Sequence, residues 1–272
     1  MPILTENDLI SNEIINDDSF ISYDPDTGIT RVIPWIGPVE RKQDTVLPQV
    51  NVLQTIAPRS YPNDWGVSDP QNYQEHRSTC RLLIYTKNNV YHATGFMISD
   101  NDVLTAAHVV YDLQEYGGYA SSVAVVPAVS DSHSGGTYGL YAGKVTYYLQ
   151  NGFIQGDKSK DLAIISLDGS SKPFACGYYS LLNPGNTKGW WVRSQGYPYD
   201  YHTLQCFGGN VISDGGNMIG VTGSALPGMS GGPVMDASKK VIGVISGAYQ
   251  GSSGYNAVRF DTTTYNMILS FR

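Results

Sequence analysis

Ser230 lies in Gly228-Met229-Ser230-Gly231-Gly232-Pro233, and none of the chain's five histidines (His76, His92, His108, His133 and His202) follows it. The glycines let the backbone turn tightly and leave the hydroxyl reachable. They also let backbone N–H groups converge on one point, as a developing oxyanion needs. A serine hydroxyl is a weak nucleophile until a base takes its proton, so this serine calls for a histidine and an orienting acid upstream. Any arrangement in which the base comes last is excluded.

Two upstream segments supply the candidates. His108 ends the run Val103-Leu104-Thr105-Ala106-Ala107-His108, which reads as a buried strand delivering an imidazole. Asp161 opens Asp161-Leu162-Ala163-Ile164-Ile165. A carboxylate at the mouth of an apolar strand is costly to bury unless it meets a partner, and a histidine Nδ1–H is one. Asp157 and Asp168 stand nearby as alternatives; Asp161 is preferred because it alone opens the apolar run. The spacings, 53 residues from His108 to Asp161 and 69 from Asp161 to Ser230, each span several strands.

The order serine, acid, histidine of the α/β-hydrolases lacks its base here. The subtilisin order survives on order alone, but no His-Gly-Thr run surrounds any histidine. The order histidine, acid, serine remains. With Thr94-Gly95-Phe96-Met97-Ile98, Leu104 to Val110, Asp161 to Ile164, Gly228 to Val234 and Val241-Ile242-Gly243-Val244 in sequence, the chain resembles trypsin/chymotrypsin-like serine endopeptidases. It is most similar to the bacterial glutamyl-endopeptidase branch, over roughly residues 76 to 265.

The resemblance implies an all-β fold of two antiparallel six-stranded barrels, about 76–168 and 174–260, with a C-terminal helix at about 262–271. It implies His108, Asp161 and Ser230 as a triad and the N–H groups of Gly228 and Ser230 as the oxyanion hole. It implies protein or peptide substrates and an extracellular setting, although Met1-Pro2-Ile3-Leu4 does not read as a signal peptide. Ser224, Ala225, Ile245 and Ala248 match the specificity pocket, and Ser246 and Gly247 its substrate-pairing edge. Ile245 stands where glutamyl endopeptidases place a carboxylate-binding histidine. A small, uncharged wall therefore predicts a preference for an apolar residue before the scissile bond. Met229 occupies the position of the aspartate that pairs with the freed N-terminus of trypsin, so that activation route is closed. A catalytically silent binding module and an esterase on the same fold are the alternatives.

Short runs such as Leu82-Leu83-Ile84-Tyr85, Val123-Ala124-Val125-Val126 and Val145-Thr146-Tyr147-Tyr148 read as strands. Gly208-Gly209 and Gly215-Gly216 read as hairpin turns, as does Asp24-Pro25-Asp26-Thr27-Gly28, which lacks the closing glutamate of a calcium loop. The net charge of −7 is uneven: residues 1–30 hold seven acids and no Lys or Arg, and the remainder is neutral. A neutral body has no field for nucleic acid. Residues 1–70 read as a separate acidic extension before a peptidase domain at 71–272, and residues 1 to about 59 as a pro-segment, with Arg41-Lys42 and Arg59 as processing sites. No metal or organic cofactor is expected, no stretch of about 20 apolar residues would span a membrane, and a monomer is favoured. The cysteines Cys80, Cys176 and Cys206 cannot all pair internally; Cys176 with Cys206 is the one bridge considered.

Overall fold

The computed structural model describes residues 19–33, 64–130, 136–168, 175–201, 203–223, 225–248 and 254–272. In chain order the strands are β1 (Phe20–Asp24), β2 (Ile29–Ile33), β3 (Asp64–Val67), β4 (Thr79–Tyr85), β5 (Val90–Met97), β6 (Asp102–Thr105), β7 (Tyr111–Asp112), β8 (Gly118–Tyr119) and β9 (Ser122–Pro127). They continue with β10 (Lys144–Gln150), β11 (Ala163–Asp168), β12 (Trp191–Gly196), β13 (Leu204–Gly215), β14 (Met218–Thr222), β15 (Pro233–Met235), β16 (Val241–Ala248) and β17 (Gly254–Arg259). The helices are α1 (Gln74–Arg77), α2 (Ala107–Val110), α3 (Asn151–Ile154) and α4 (Thr262–Leu269). The protein is therefore all-β, in two lobes.

The second lobe is a closed antiparallel barrel. Its strands run β12-β15-β16-β17-β14-β13, and β13 pairs back onto β12 from Gln205↔Gly196 to Asn210↔Trp191. Inward side chains such as Val192, Phe207, Val221, Ile242 and Ala257 fill it. Gly208 and Gly209 lie inside β13 and not in a turn, which corrects the sequence reading. A Cβ at Gly208 would fall 2.3 Å from the Trp191 ring and one at Gly209 2.0 Å from the Thr222 carbonyl, so these glycines allow close strand approach. Gly216, at φ +68°, does turn the chain between β13 and β14.

The first lobe is an antiparallel sheet in the order β2-β1-β10-β11-β6-β5-β4-β9. Here β9 and β10 meet through a single bridge, Val125↔Tyr141, just ahead of β10. Beyond the bridge the free edge of β10 pairs instead with β1, from Phe20↔Gln150 to Tyr23↔Tyr147. Residues 20–33, which lie in the stretch expected to stand apart from the body, thus form a hairpin on the first lobe. Burial of both faces explains the docking: the consecutive residues Phe20, Ile21 and Ser22 are all buried, and Asp24 and Asp26 remain at the turn. Asp24 accepts from the Asp26 and Thr27 amides, and Gly28 adopts φ +68° to close the turn. β3 pairs with β13 of the second lobe, so the folded unit also begins before the boundary expected at residue 70.

The closing helix α4 starts where Asp261 accepts from the Thr264 amide, and it buries Thr264, Met267 and Ile268. The three cysteines are free and buried, so the bridge considered for Cys176 and Cys206 does not form. Among the described residues no helix is long and apolar enough to cross a membrane. Nor do three or more His, Cys, Asp or Glu side chains there stand close enough to hold a metal ion.

Candidate active site

His108 arrives on the structure the sequence anticipates. β6 is buried throughout, Ala106 stays extended, and the single turn of α2 then presents the imidazole. Asp161 follows a 3-10 turn and precedes β11. Its Oδ2 lies 2.8 Å from His108 Nδ1, and its Oδ1 accepts from the His108 backbone N–H at 2.9 Å. The Ser246 hydroxyl donates to Oδ2 at 2.5 Å. The two other acids considered are engaged elsewhere: Asp157 accepts from the Ser159 amide, and Asp168 from the Thr146 hydroxyl.

These contacts fix the charge state. Burial alone would raise the Asp161 carboxyl, but the His108 charge and the bonds from His108 and Ser246 hold it below the usual carboxylate range. An ionised carboxylate can only accept, so His108 Nδ1 carries the proton and Nε2 is left bare. Burial pushes His108 down, yet Asp161 and, more weakly, Asp112 outweigh it and leave the imidazole above its ordinary value. The Asp161 side chain is only 5% exposed and that of His108 33%, so the pair is anchored on one side and open on the other.

The Ser230 loop belongs to the second lobe but is seated on the first. The Thr94 amide of β5 donates to the Ser230 carbonyl at 2.9 Å. The Thr94 hydroxyl donates to the Gly228 carbonyl at 2.8 Å and accepts from the Tyr197 amide at 2.8 Å. Gly231, at φ +87°, lies so close to the strand leading to His108 that an added Cβ would fall 2.0 Å from Thr105 Oγ1. This is how Ser230 is brought beside the His108 segment. Gly228 has φ +94°, and a Cβ there would meet the Tyr197 carbonyl and the Tyr199 amide at 2.7 Å. The amides of Met229, Gly231 and Gly232 are taken by Leu226, Ile245 and Met229 carbonyls. Those of Gly228 and Ser230 meet no acceptor among the described residues.

The remaining sequence candidates are divided. Ile245 is buried in the second-lobe apolar cluster with Met229 and Tyr255, and Ala225 packs on the same cluster. The Tyr255 hydroxyl in this cluster is bonded to the Ser194 hydroxyl. Ser246 sits at an irregularity between Ile245 and Gly247, which frees its side chain for Asp161. Gly247 faces open space, and Ala248 ends β16. Ser224 lies outside the described residues, as do His133 and His202. Thr94 entered the sequence reading only as the first residue of a resembling segment, with no role of its own; a hydroxyl one residue before a strand glycine does not say which carbonyl it will meet. His92 was also passed over, yet with Tyr91, Tyr199 and Pro227 it lines a cleft of about 460 Å³ that reaches Gly228.

Residues 93–244 match the family described as "Trypsin-like peptidase domain". A curated relative, "Extracellular metalloprotease" of Bacillus subtilis (strain 168), is 33% identical over 118 residues, 43% of this chain and 32% of that protein. The match thus spans about a third of that relative's length. Among solved structures, a Glu endopeptidase in complex with MPD superposes with a TM-score of 0.67 at 21% identity, over 78% of this chain and 97% of that one. Protease Anisep from Arthrobacter nicotinovorans gives 0.59 at 21% identity, over 76% and 99%. A thermostable serine protease, AL20, gives 0.56 at 16% identity, over 73% and 98%. At these identities the structures are alike in fold.

Proposed function

Since the chain belongs to the trypsin-like peptidase domain family, we propose that it is a serine endopeptidase working through an acyl-enzyme, with an apolar residue preferred before the scissile bond. The observation that carries the reading is the pair of hydrogen bonds between Asp161 and His108, set against a loop whose Gly228 and Ser230 amides meet no acceptor among the described residues.

The chemistry follows from the charge states. Ser230 Oγ attacks the peptide carbonyl while His108 Nε2 takes its proton. The imidazolium that forms is stabilised by ionised Asp161, which cannot rotate away because it also holds the His108 amide and the Ser246 hydroxyl. The carbonyl oxygen, now negative, is received by the Gly228 and Ser230 N–H groups. One such donor is worth about 3 kcal/mol of barrier. His108 then passes its proton to the leaving amine, and water repeats the sequence on the acyl-enzyme. Substrate backbone adds as a strand beside Ser246 and Gly247, where Gly247 leaves room. Residues beyond the scissile bond reach the cleft next to Gly228.

The pocket reading rests on Ile245, Ala225 and Tyr255. All lie in an apolar cluster, and the one hydroxyl among them already has its partner. A glutamate side chain there would be buried without a counter-charge. The curated relative is named "Extracellular metalloprotease"; the first word of that name supports a role outside the cell.

Digestion of a peptide library, with Ser230→Ala as control, tests the reading. Cleavage after apolar residues, lost in the variant, is expected; cleavage dominated by glutamate would overturn the pocket assignment. Fluorophosphonate labelling that persists in Ser230→Ala would overturn the nucleophile. Ester cleavage without casein hydrolysis would make the protein an esterase.

A further inference from the structure

The open seam of the first lobe lies directly behind the two first-lobe residues of the site. Tyr23 of β1 stacks on Tyr119 of β8, with ring centroids 3.9 Å apart and planes within 7°. Tyr119 meets Tyr111 edge-on at 4.7 Å. Tyr111 directly follows α2 as its C-cap, three positions after His108. The Ala120 amide, next to Tyr119, donates to the Val110 carbonyl and ties the same segment. On the other side, the Ser19 carbonyl accepts from the Asn151 amide at the start of α3, and the chain from there leads to Asp161. Phe20 closes the far end against Phe271, with centroids 5.7 Å apart.

We propose that the N-terminal hairpin is a permanent part of the catalytic apparatus, in which Tyr23 is a positioning residue acting on His108 through Tyr119 and Tyr111. The inference rests on the peptidase reading above and deepens it. A stacked ring pair is an orientational constraint: it fixes how Tyr119 stands, and Tyr119 in turn sets the wall against which Tyr111 and α2 rest. Displacing a general base by a fraction of its hydrogen-bond reach lowers the rate without changing how substrate binds. The same geometry changes what processing means. A cut after Lys42 or Arg59 would trim the linking chain and leave residues 20–33 seated on β10, so the product would be a two-chain enzyme held by β1–β10 pairing.

The test uses the full chain with Tyr23→Ala and Tyr23→Phe, and follows two readouts. In peptide hydrolysis, Tyr23→Ala is expected to lower kcat roughly ten- to hundredfold with KM within about twofold. The acidic limb of its kcat/KM profile should move down, because a looser Asp161 contact raises His108 less. Tyr23→Phe, which keeps the ring, should restore both. The second readout needs no activity: hydrogen exchange at the His108 amide, which donates to Asp161, should quicken in Tyr23→Ala and stay unchanged in Tyr23→Phe. Equal inactivity of the unmodified chain and Ser230→Ala would sink the peptidase reading alone, with exchange still reporting on the hairpin. If Tyr23→Ala unfolds, Tyr23→Leu, which keeps bulk and loses the stack, carries the same comparison. Unchanged kcat, acidic limb and exchange would overturn the proposal. So would fully active processed enzyme whose native mass contains no 20–33 peptide.

Discussion

The two lobes solve the same closure problem differently. The second seals itself, because β12 pairs with both β13 and β15. The first parts between β9 and β10 above one bridge, and a hairpin from the far N-terminal end of the chain enters the gap. The sealed lobe carries Ser230, Gly228 and the apolar cluster of Ile245 and Tyr255; the parted one carries His108 and Asp161. Half of the site is therefore locally determined. The other half depends on contacts from outside its own strands: the hairpin behind it and Ser246 of β16 in front. A barrel that closes on itself is rigid by construction, whereas one completed by a borrowed strand is only as rigid as that strand's docking.

The contrast can be broken at several points. Removing the sealed lobe's nucleophile with Ser230→Ala should lower kcat on the order of 10⁶-fold. Asp161→Asn, which leaves the first lobe's geometry but reverses the tautomer demanded of His108, should lower kcat about 10⁴-fold. Both are read by steady-state hydrolysis, and equal small losses would mean that the pair does not act on Ser230. Gly231→Ala strikes the joint between lobes. Its Cβ would fall 2.0 Å from Thr105 Oγ1 and from the Thr94 carbonyl, at a φ of +87°. A loss of several kcal/mol in denaturant unfolding is expected, above the ordinary range for a surface change.

Acid should separate the lobes' joint from the site. His76 is buried, which lowers it, and the Arg193 charge adds to this against the bond that its Nδ1–H donates to Gln195 Oε1; the result is about 4. Its folded value lies below the ordinary 6.5, so the unfolded chain takes the proton first. Stability should fall as pH drops from 6.5 to about 4 and level off below, and His76→Gln should flatten that slope. His108 has the opposite sign: its raised value contributes stability below 6.5 that is lost as pH climbs through it. Activity should rise across that same raised value, since only neutral His108 accepts a proton. The smallest expected effect is Thr94→Val, about 1–3 kcal/mol in stability or barrier, through the unsatisfied Tyr197 amide and the freed Gly228 carbonyl.

What the sequence disclosed divides along the same line. Apolar runs punctuated by turn residues marked β4, β9, β10 and β16, and chain order picked His108, Asp161 and Ser230 from many candidates. Those signals are local or depend on order alone. Two readings went astray for a common reason. Gly208-Gly209 has the composition of a turn, but a neighbouring ring and strand require those glycines. The acids of residues 1–30 advertise a separate extension, while Phe20 among them packs into the first-lobe core. Pairing across more than a hundred residues, as between β1 and β10, leaves no trace in either segment read alone. Thr94 is equally silent, since its value lies wholly in which carbonyl happens to stand opposite.

The three buried thiols have a consequence for where such a molecule can keep its shape. Burial drives the Cys176 and Cys206 thiols up to about 12, and lifts Cys80 well above its ordinary value. Thiols held in that form scarcely ionise, so neither oxidants nor exchange partners find a thiolate to attack. The fold consequently has no covalent cross-link to lose and no sulfur ready to form one. Its folding should be blind to redox poise: the same midpoint in denaturant with a strong reductant as in air, and no change in mobility after either treatment.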